Sequence, residues 1–554
     1  MQPTRAFVEE ILSRQDWIHT FAYPPYVDSL LHTNSVPSPL QTVQLKASLD
    51  DLEAPLAEVQ SNLDLLRDAV ASLENQMSRL QPYRRDYTRI LSSIRYIPPE
   101  ILAKILCGSW ENRYTGTDGR ISEISVFSIR EGPWCLGQVC SSWRRVVETL
   151  CPELWATVLI DVPGPCCRKM KSISAEILSR VLERSRNHPL HFSFFQYSAY
   201  SEQFQVVDQC FDIMIMHSAR WETAKIIVPP SFIPRLSPIR RKIDWLKDMD
   251  LVCNRSDDLD SGPESIYAFE IAPKLQVLHL KGMHPDAIIR FPTTNLISFS
   301  DQRPWSGDRM TPEYLAIVKS AQKLRSFSYV DYGTAGPISA SHSLAFIANS
   351  SLEELSTCSR DFMRSVILPA LKEVTLKASP SGTIPFRYPC PIDALRGLHE
   401  MLIHSQCSLT QLTLCEAALY ENLHAILRLS PQLEEFSSYI YQRWTDEYDR
   451  VMCDLVTQMK ETVMVRGSPQ HCLVPSLQQF AIELNGLHFA TLSFLDLTFV
   501  EMVALRVHGP CVTQWLTKLI LWVSESAWTC LDEDDVLALE KLKDEGLDGF
   551  VHVH

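Results

Sequence analysis

His404 and Cys407 stand one helical turn apart, a spacing that could present two ligands to a metal ion. A tetrahedral site needs four donors, and no second pair lies nearby in sequence. Cys135 with Cys140, and the adjacent Cys166 and Cys167, likewise lack zinc-finger partners. His552-x-His554 has no companion ligand and reads as incidental. The acidic run Asp532-Glu533-Asp534-Asp535 precedes an apolar helical pattern. There it suits capping and pairing with the helix dipole, whereas a calcium loop would alternate its ligands. No phosphate-binding Gly-x-x-x-x-Gly-Lys loop and no Gly-x-Ser-x-Gly elbow is present. No cysteine has a neighbouring base in sequence that would activate it as a nucleophile. The expectation is a non-catalytic protein without metal or cofactor.

Composition narrows the class further. The 554 residues are 45% apolar and 21% charged, enough to build buried cores. Lys plus Arg is 52 against 66 Asp plus Glu, a net charge of -14. That balance argues against a sequence-independent nucleic-acid binder. The first residues are interrupted by Glu9 and Glu10 where a secretory signal would need an apolar core. No stretch approaches a membrane span. The sixteen cysteines follow no framework spacing, which suits reduced thiols in the cytoplasm or nucleus.

The elements behind these residues begin with an N-terminal extension and linker over 1–44. In it, Arg5 to Trp17 suits a short amphipathic helix, and Asn34 to Pro39 suits a linker. Leu45, Leu49, Leu52, Leu56, Val59, Leu63, Leu66, Val70, Leu73, Met77 and Leu80 then recur at alternating intervals of four and three. This is a heptad seam, and a helix is expected over 45–81. Pro55 should kink it or mark its first turn, and Pro82 should end it before a second stretch from Tyr83 to Leu91. Lys46, Glu53, Arg67 and Glu74 flank the seam, but Ser48, Asn62, Ala69 and Gln76 opposite them are neutral. Self-association through 45–80 is one reading. A long helix packed on its own chain is the other.

Pro98 and Pro99 suit a helix start, and Glu100 suits its first turn. Ile101, Leu102, Ile105 and Leu106 share an apolar face that must be buried against something. Glycines and Pro133 make 107–133 a loop. Val139, Trp143, Val146 and Val147 are expected on one face of a following helix, and Pro152 to Trp155 on a turn with an apolar anchor.

In this order, Ile97 to Leu106, Val139 to Arg144 and Pro152 to Trp155 resemble an F-box. With a heptad helix before the box and an Asn-x-x-Pro linker ahead, 28–160 resembles the large F-box families of mushroom-forming fungi. The inserted loop 107–133 exceeds the family minimum and leaves the middle helix unplaced. The resemblance implies an F-box domain over 82–157 that docks on a Skp-type adaptor and through it on a cullin. Carried onto matching positions, it implies adaptor binding or support by Ile97, Pro98, Glu100, Ile101, Leu102, Ile105, Val139 and Trp143. Core and contact residues are not separable at this level.

Over 158–554 a Leu-x-x-apolar-x-apolar pattern recurs at Leu275, Leu324, Leu371, Leu409, Leu477 and Leu516, more weakly at Leu352 and Leu433. Helical stretches fall between, at Thr311 to Ala321, Ile392 to Ile403 and Tyr420 to Leu429. A helix, glycine stop and closing strand are expected from Asp535 to Val553. Repeated strand and helix is the unit of an irregular leucine-rich-repeat-like α/β solenoid. Met283, Arg360 and Ala417 replace its usual Asn or Cys, so no regular side-chain ladder is expected. The fold class is therefore α/β, a helical F-box module with an N-terminal long helix followed by this solenoid. The expected function is a substrate receptor that holds a protein target on the repeat domain. The alternative is a coiled-coil scaffold outside any ligase.

Overall fold

The structure is a computed structural model describing residues 2–14, 16–33, 35–114, 125–128, 130–161, 173–196, 204–254, 265–284, 286–303, 311–330, 346–378, 388–420, 422–465, 467–484, 490–509, 515–523 and 528–553. Cys166, Cys167, Asn34, Gly116, Gly119 and His554 lie outside them. The chain divides into two compact units, Met1–Ile101 and Leu102–His554.

The first unit is helical: α1 (Gln2–Ser13), α2 (Pro25–Thr33) and α3 (Pro39–Ile90). Ser38 begins α3 with a reciprocal cap. Gln41 N donates to Ser38 Oγ at 3.4 Å, and Ser38 N donates to Gln41 Oε1 at 2.9 Å. Pro39 takes the first helical position, where a missing N–H costs nothing, so it starts the helix rather than extending a linker. The expected end at Pro82 is corrected. Pro55 and Pro82 both lie inside one 52-residue helix. Each removes one donor from a long ladder, and α3 has no buried residue, so water reaches the freed carbonyls.

The second unit is mixed α/β around one large parallel sheet of fourteen strands. These are β1 (Thr157–Asp161), β2 (Leu190–Phe195), β3 (Trp221–Val228), β4 (Asp248–Cys253), β5 (Val277–Lys281), β6 (Ser298–Gln302) and β7 (Ser326–Tyr329). They continue as β8 (Glu354–Ser356), β9 (Glu373–Leu376), β10 (Gln411–Cys415), β11 (Glu435–Ile440), β12 (Gln479–Leu484), β13 (Lys518–Val523) and β14 (Asp548–Val553). Each strand pairs with its predecessor in the chain, so neighbours in sequence are neighbours in space. The expected segments at Leu275, Leu324, Leu352, Leu371, Leu409, Leu433, Leu477 and Leu516 enter β5, β7, β8, β9, β10, β11, β12 and β13.

Backbone corners join the strands. Lys247 O accepts from both Gln276 N and Val277 N, and Gln276 O accepts from Ile297 N and Ser298 N. The pattern repeats at Ile297, Arg325, Glu353, Lys372, Thr410, Glu434 and Gln478. This ladder uses main-chain groups only, so irregular spacing between strands and the absent Asn positions do not interrupt it. Side-chain ties are sporadic: Asn349 Nδ2 donates to Val318 O at 2.9 Å and Ala321 O at 3.0 Å.

Alternate strand residues face opposite sides. One side is a continuous core in which Leu278, Phe299, Phe327, Leu355, Val374, Leu412, Phe436, Phe480 and Leu519 are register neighbours and buried. Helices cover that side. The Phe327 ring packs on Tyr314 and Phe362, and Phe480 on Phe499.

Preceding the sheet are α4 (Pro99–Tyr114), α5 (Gly132–Gly137) and α6 (Ser141–Thr149). The expected loop 107–133 is thus corrected at both ends: α4 runs on to Tyr114, and Gly132 and Pro133 start α5. Val126 and Phe127 between them are buried, and Ser125 bridges Leu159 of β1. Between strands lie α7 (Ser174–Arg184), α8 (Phe204–Met216), α9 (Thr311–Ser320), α10 (Arg360–Arg364) and α11 (Ala394–Ser405). After them come α12 (Asn422–Leu429), α13 (Asp446–Lys460), α14 (Leu497–His508) and α15 (Glu533–Asp544).

Candidate functional site

Helix α4 separates its apolar residues into two groups. Leu102 and Leu106 are buried, at 4% and 3% exposure, while Ile101 and Ile105 are 47% and 50% exposed. The single face expected from their spacing is corrected to an inner stripe and an outer pair. Ile101 ends the first unit, and Ile105 is an exposed apolar residue of α4 within the second.

Val139 is 60% exposed. It does not share a helix with Trp143, contrary to expectation. Cys140, extended at φ -162 and ψ 170, breaks the chain between α5 and α6 and caps α6, with Trp143 N donating to its Sγ at 3.5 Å. Trp143 is half-buried on α6, whose Val146 and Val147 are buried. Ile97 is half-buried and extended ahead of α4, and Pro98 and Glu100 are exposed. Ile97, Pro98, Glu100 and Ile101 belong to the first unit, and Leu102, Ile105, Val139 and Trp143 to the second.

Within the second unit this helical segment is firmly seated. Trp155 Nε1 donates to Val147 O at 2.9 Å, and Trp134 packs edge-on against Trp155 at 5.0 Å. Arg184 of α7 lies over both rings, 4.7 and 4.6 Å from their centroids. Cys107 Sγ donates to Glu153 Oε1 at 3.0 Å.

The uncovered side of the sheet carries polar residues. Over β1 to β5 it forms a groove of about 390 Å³ lined by His191, Thr223, Lys225, Asp248, Asp250 and His279, among others. Its polar groups are tied to one another across strands. His191 Nδ1 lies 3.2 Å from Thr223 Oγ1, and Thr223 Oγ1 donates to Asp248 Oδ2 at 3.5 Å. Outside the groove lining, Lys247 Nζ pairs with Glu222 Oε1 at 2.5 Å, which holds the Glu222 carboxyl below its usual range. Burial pushes Asp248 up and His279 down, so burial opposes charge on each. No group of three potential metal ligands gathers among the described residues.

Farther along, Glu354 and Glu373 are direct register neighbours, and Gln411 separates Glu373 from Glu435. Burial, then Glu354, Glu435 and Glu353, raises the Glu373 carboxyl. Like charges abreast on adjacent strands oppose folding, so a cation laid across this row would relieve them. The next outward row is Ser300, Ser328, Ser356, Thr375, Thr413 and Ser437. No expectation from the sequence covers these rows. The signal was the polar residue two places after each strand's first outward position, as in Glu373-Val374-Thr375.

His404 lies 5.1 Å ring to ring from Phe346 and meets no metal-like cluster among the described residues. Asp532 and Asp535 form a reciprocal cap on α15. No helix among the described residues is long and apolar enough to cross a membrane. No protein-family model matches the chain, and no curated protein matches it.

Proposed function

We propose that the chain is an F-box substrate receptor: α4 to α6 dock on a Skp-type adaptor of a cullin ubiquitin ligase, and the sheet domain recruits a protein target. The carrying observation is the division of α4 within the second unit, with Leu102 and Leu106 inside and Ile105 outside. A stable helical segment buries one stripe, and an apolar side chain left in water beside it fits a partner's apolar surface. Val139 offers a further apolar contact, while Leu102 and Trp143 support the segment.

In this reading the fourteen strands are an irregular leucine-rich-repeat-like solenoid, supported by their sequential order and the repeating backbone corner. The target lies on the uncovered side, and the row of Glu354, Glu373 and Glu435 selects a basic segment. The receptor is non-catalytic. It raises the effective concentration of target near the ligase.

Capture of the full chain from cells tests this. The native protein recovers adaptor and cullin, and the Ile101→Asp, Val139→Asp variant, altered only at exposed positions, loses both. Equal recovery by the two, or none by the native chain, contradicts it.

A further inference from the structure

Eleven heptad positions run along α3 from Leu45 to Leu80. No residue of α3 is buried: Leu45, Leu52, Val59 and Leu66 are half-buried, and Leu49, Leu56, Leu63, Val70, Leu73, Met77 and Leu80 are exposed. A seam left this open to water requires a cover. Assigning the seam puts Leu49, Leu56, Leu63, Val70 and Met77 at the first core position. Leu45, Leu52, Val59, Leu66, Leu73 and Leu80 take the second. The residue following each second core position flanks the seam: Lys46, Glu53, Gln60, Arg67, Glu74 and Gln81. The residue preceding each first core position is uncharged: Ser48, Pro55, Asn62, Ala69 and Gln76.

In a parallel pair, these two flanking classes face each other. Every charge then meets a neutral residue, and nothing is gained. In an antiparallel pair, each class faces itself. We propose that α3 pairs with α3 of a second copy of this chain, antiparallel and centred near residue 61. In that register Lys46 faces the partner's Glu74, Glu53 faces the partner's Arg67, and Gln60 faces the partner's Gln60. All the flanking charges are matched with their opposites.

The core agrees with the flanks. Leu49 meets the partner's Leu73, Leu56 the partner's Leu66, Leu63 the partner's Val59, Val70 the partner's Leu52 and Met77 the partner's Leu45. Shifting one heptad either way sets Lys46 against the partner's Arg67 or Glu53 against the partner's Glu74. Both are repulsive, so the charges select one register. The helix ends agree as well. Pro39, the first residue of α3, falls level with the partner's Tyr83. Arg84, which would break the seam at the next core position, falls level with the partner's Ser38, outside the helix. The apolar seam and the overlap of the two helices therefore end together.

The test uses the full chain in sedimentation equilibrium. The native protein has twice the chain mass of 63.2 kDa at micromolar concentration. Arg67→Glu sets a second carboxylate against the partner's Glu53 in two symmetric places and weakens the dimer by about tenfold. It also loses the contact of Arg67 Nη1 with Asp64 Oδ1 at 3.3 Å in the same helix. The double variant Glu53→Arg, Arg67→Glu keeps that loss but restores the intermolecular pairs, and recovers the dimer. A monomeric native chain, an Arg67→Glu variant of unchanged affinity, or a double variant no tighter than the single one overturns the arrangement. The result is independent of adaptor binding.

Discussion

Arg184 Nη2 lies 2.6 Å from Glu148 Oε1, tying α7 beside the first sheet strands to α6 of the helical segment. The same guanidinium covers Trp134 and Trp155, so one side chain serves an ion pair and two ring faces. Both partners of the ion pair are half-buried. Arg184→Ala should lower unfolding free energy by about 1–3 kcal/mol, and Arg184→Lys should recover only part of it, since a compact ammonium cannot cover two rings. Denaturant melts of the two variants read the difference.

The buried and exposed positions of α4 should differ in how much substitution costs. Leu106→Ala opens a cavity and should cost about 2–5 kcal/mol in stability. Ile105→Ser, at an exposed position, should change stability by about 0.5 kcal/mol or less. Parallel thermal and denaturant melts distinguish them.

His471 is buried, and burial followed by nearby Arg506 lowers its imidazole to about 4 from an ordinary 6.5. Between those values the unfolded chain binds the extra proton and the folded chain does not. Stability is therefore full above about pH 6.5 and falls as pH drops towards 4. The loss from this one group is on the order of 3 kcal/mol. Denaturant melts from about pH 7.5 to 4 should show a shallower decline for His471→Gln than for the native chain.

Gly282 sits at φ +68 at the end of β5, and a Cβ there would stand 2.2 Å from Cys253 O, a backbone atom that cannot swing aside. Gly282→Ala should destabilise the sheet domain by about 2 kcal/mol or more. Hydrogen exchange should show the loss first in β4 and β5.

The middle and late strands were readable because Leu, Phe and Val recur with period two after a turn residue, as at Leu371, Val374 and Leu376. The early strands were not. Phe192, Phe194, Trp221, Ala224 and Ile226 fill the same inner positions with other residue types, so a leucine-based pattern passes over them. Pro82 misled for a different reason. A proline's local cost is fixed, but the effect depends on how much helix surrounds it, and α3 supplies that on both sides. On α4, period alone placed Ile101, Leu102, Ile105 and Leu106 on one face. Only tertiary packing, in which Cys151 Sγ lies 3.9 Å from Ala103 O and Cys107 Sγ donates to Glu153 Oε1, separates inner from outer. The open-face rows were invisible because their partners lie on other strands.

The most direct measurement is calorimetric titration of the purified full chain with a purified Skp-type adaptor, native against Ile105→Asp, Val139→Asp. Adaptor docking predicts tight binding by the native chain and at least about a hundredfold loss in the variant, with unchanged unfolding temperature. No binding by the native chain, or equal affinity in the variant, contradicts it.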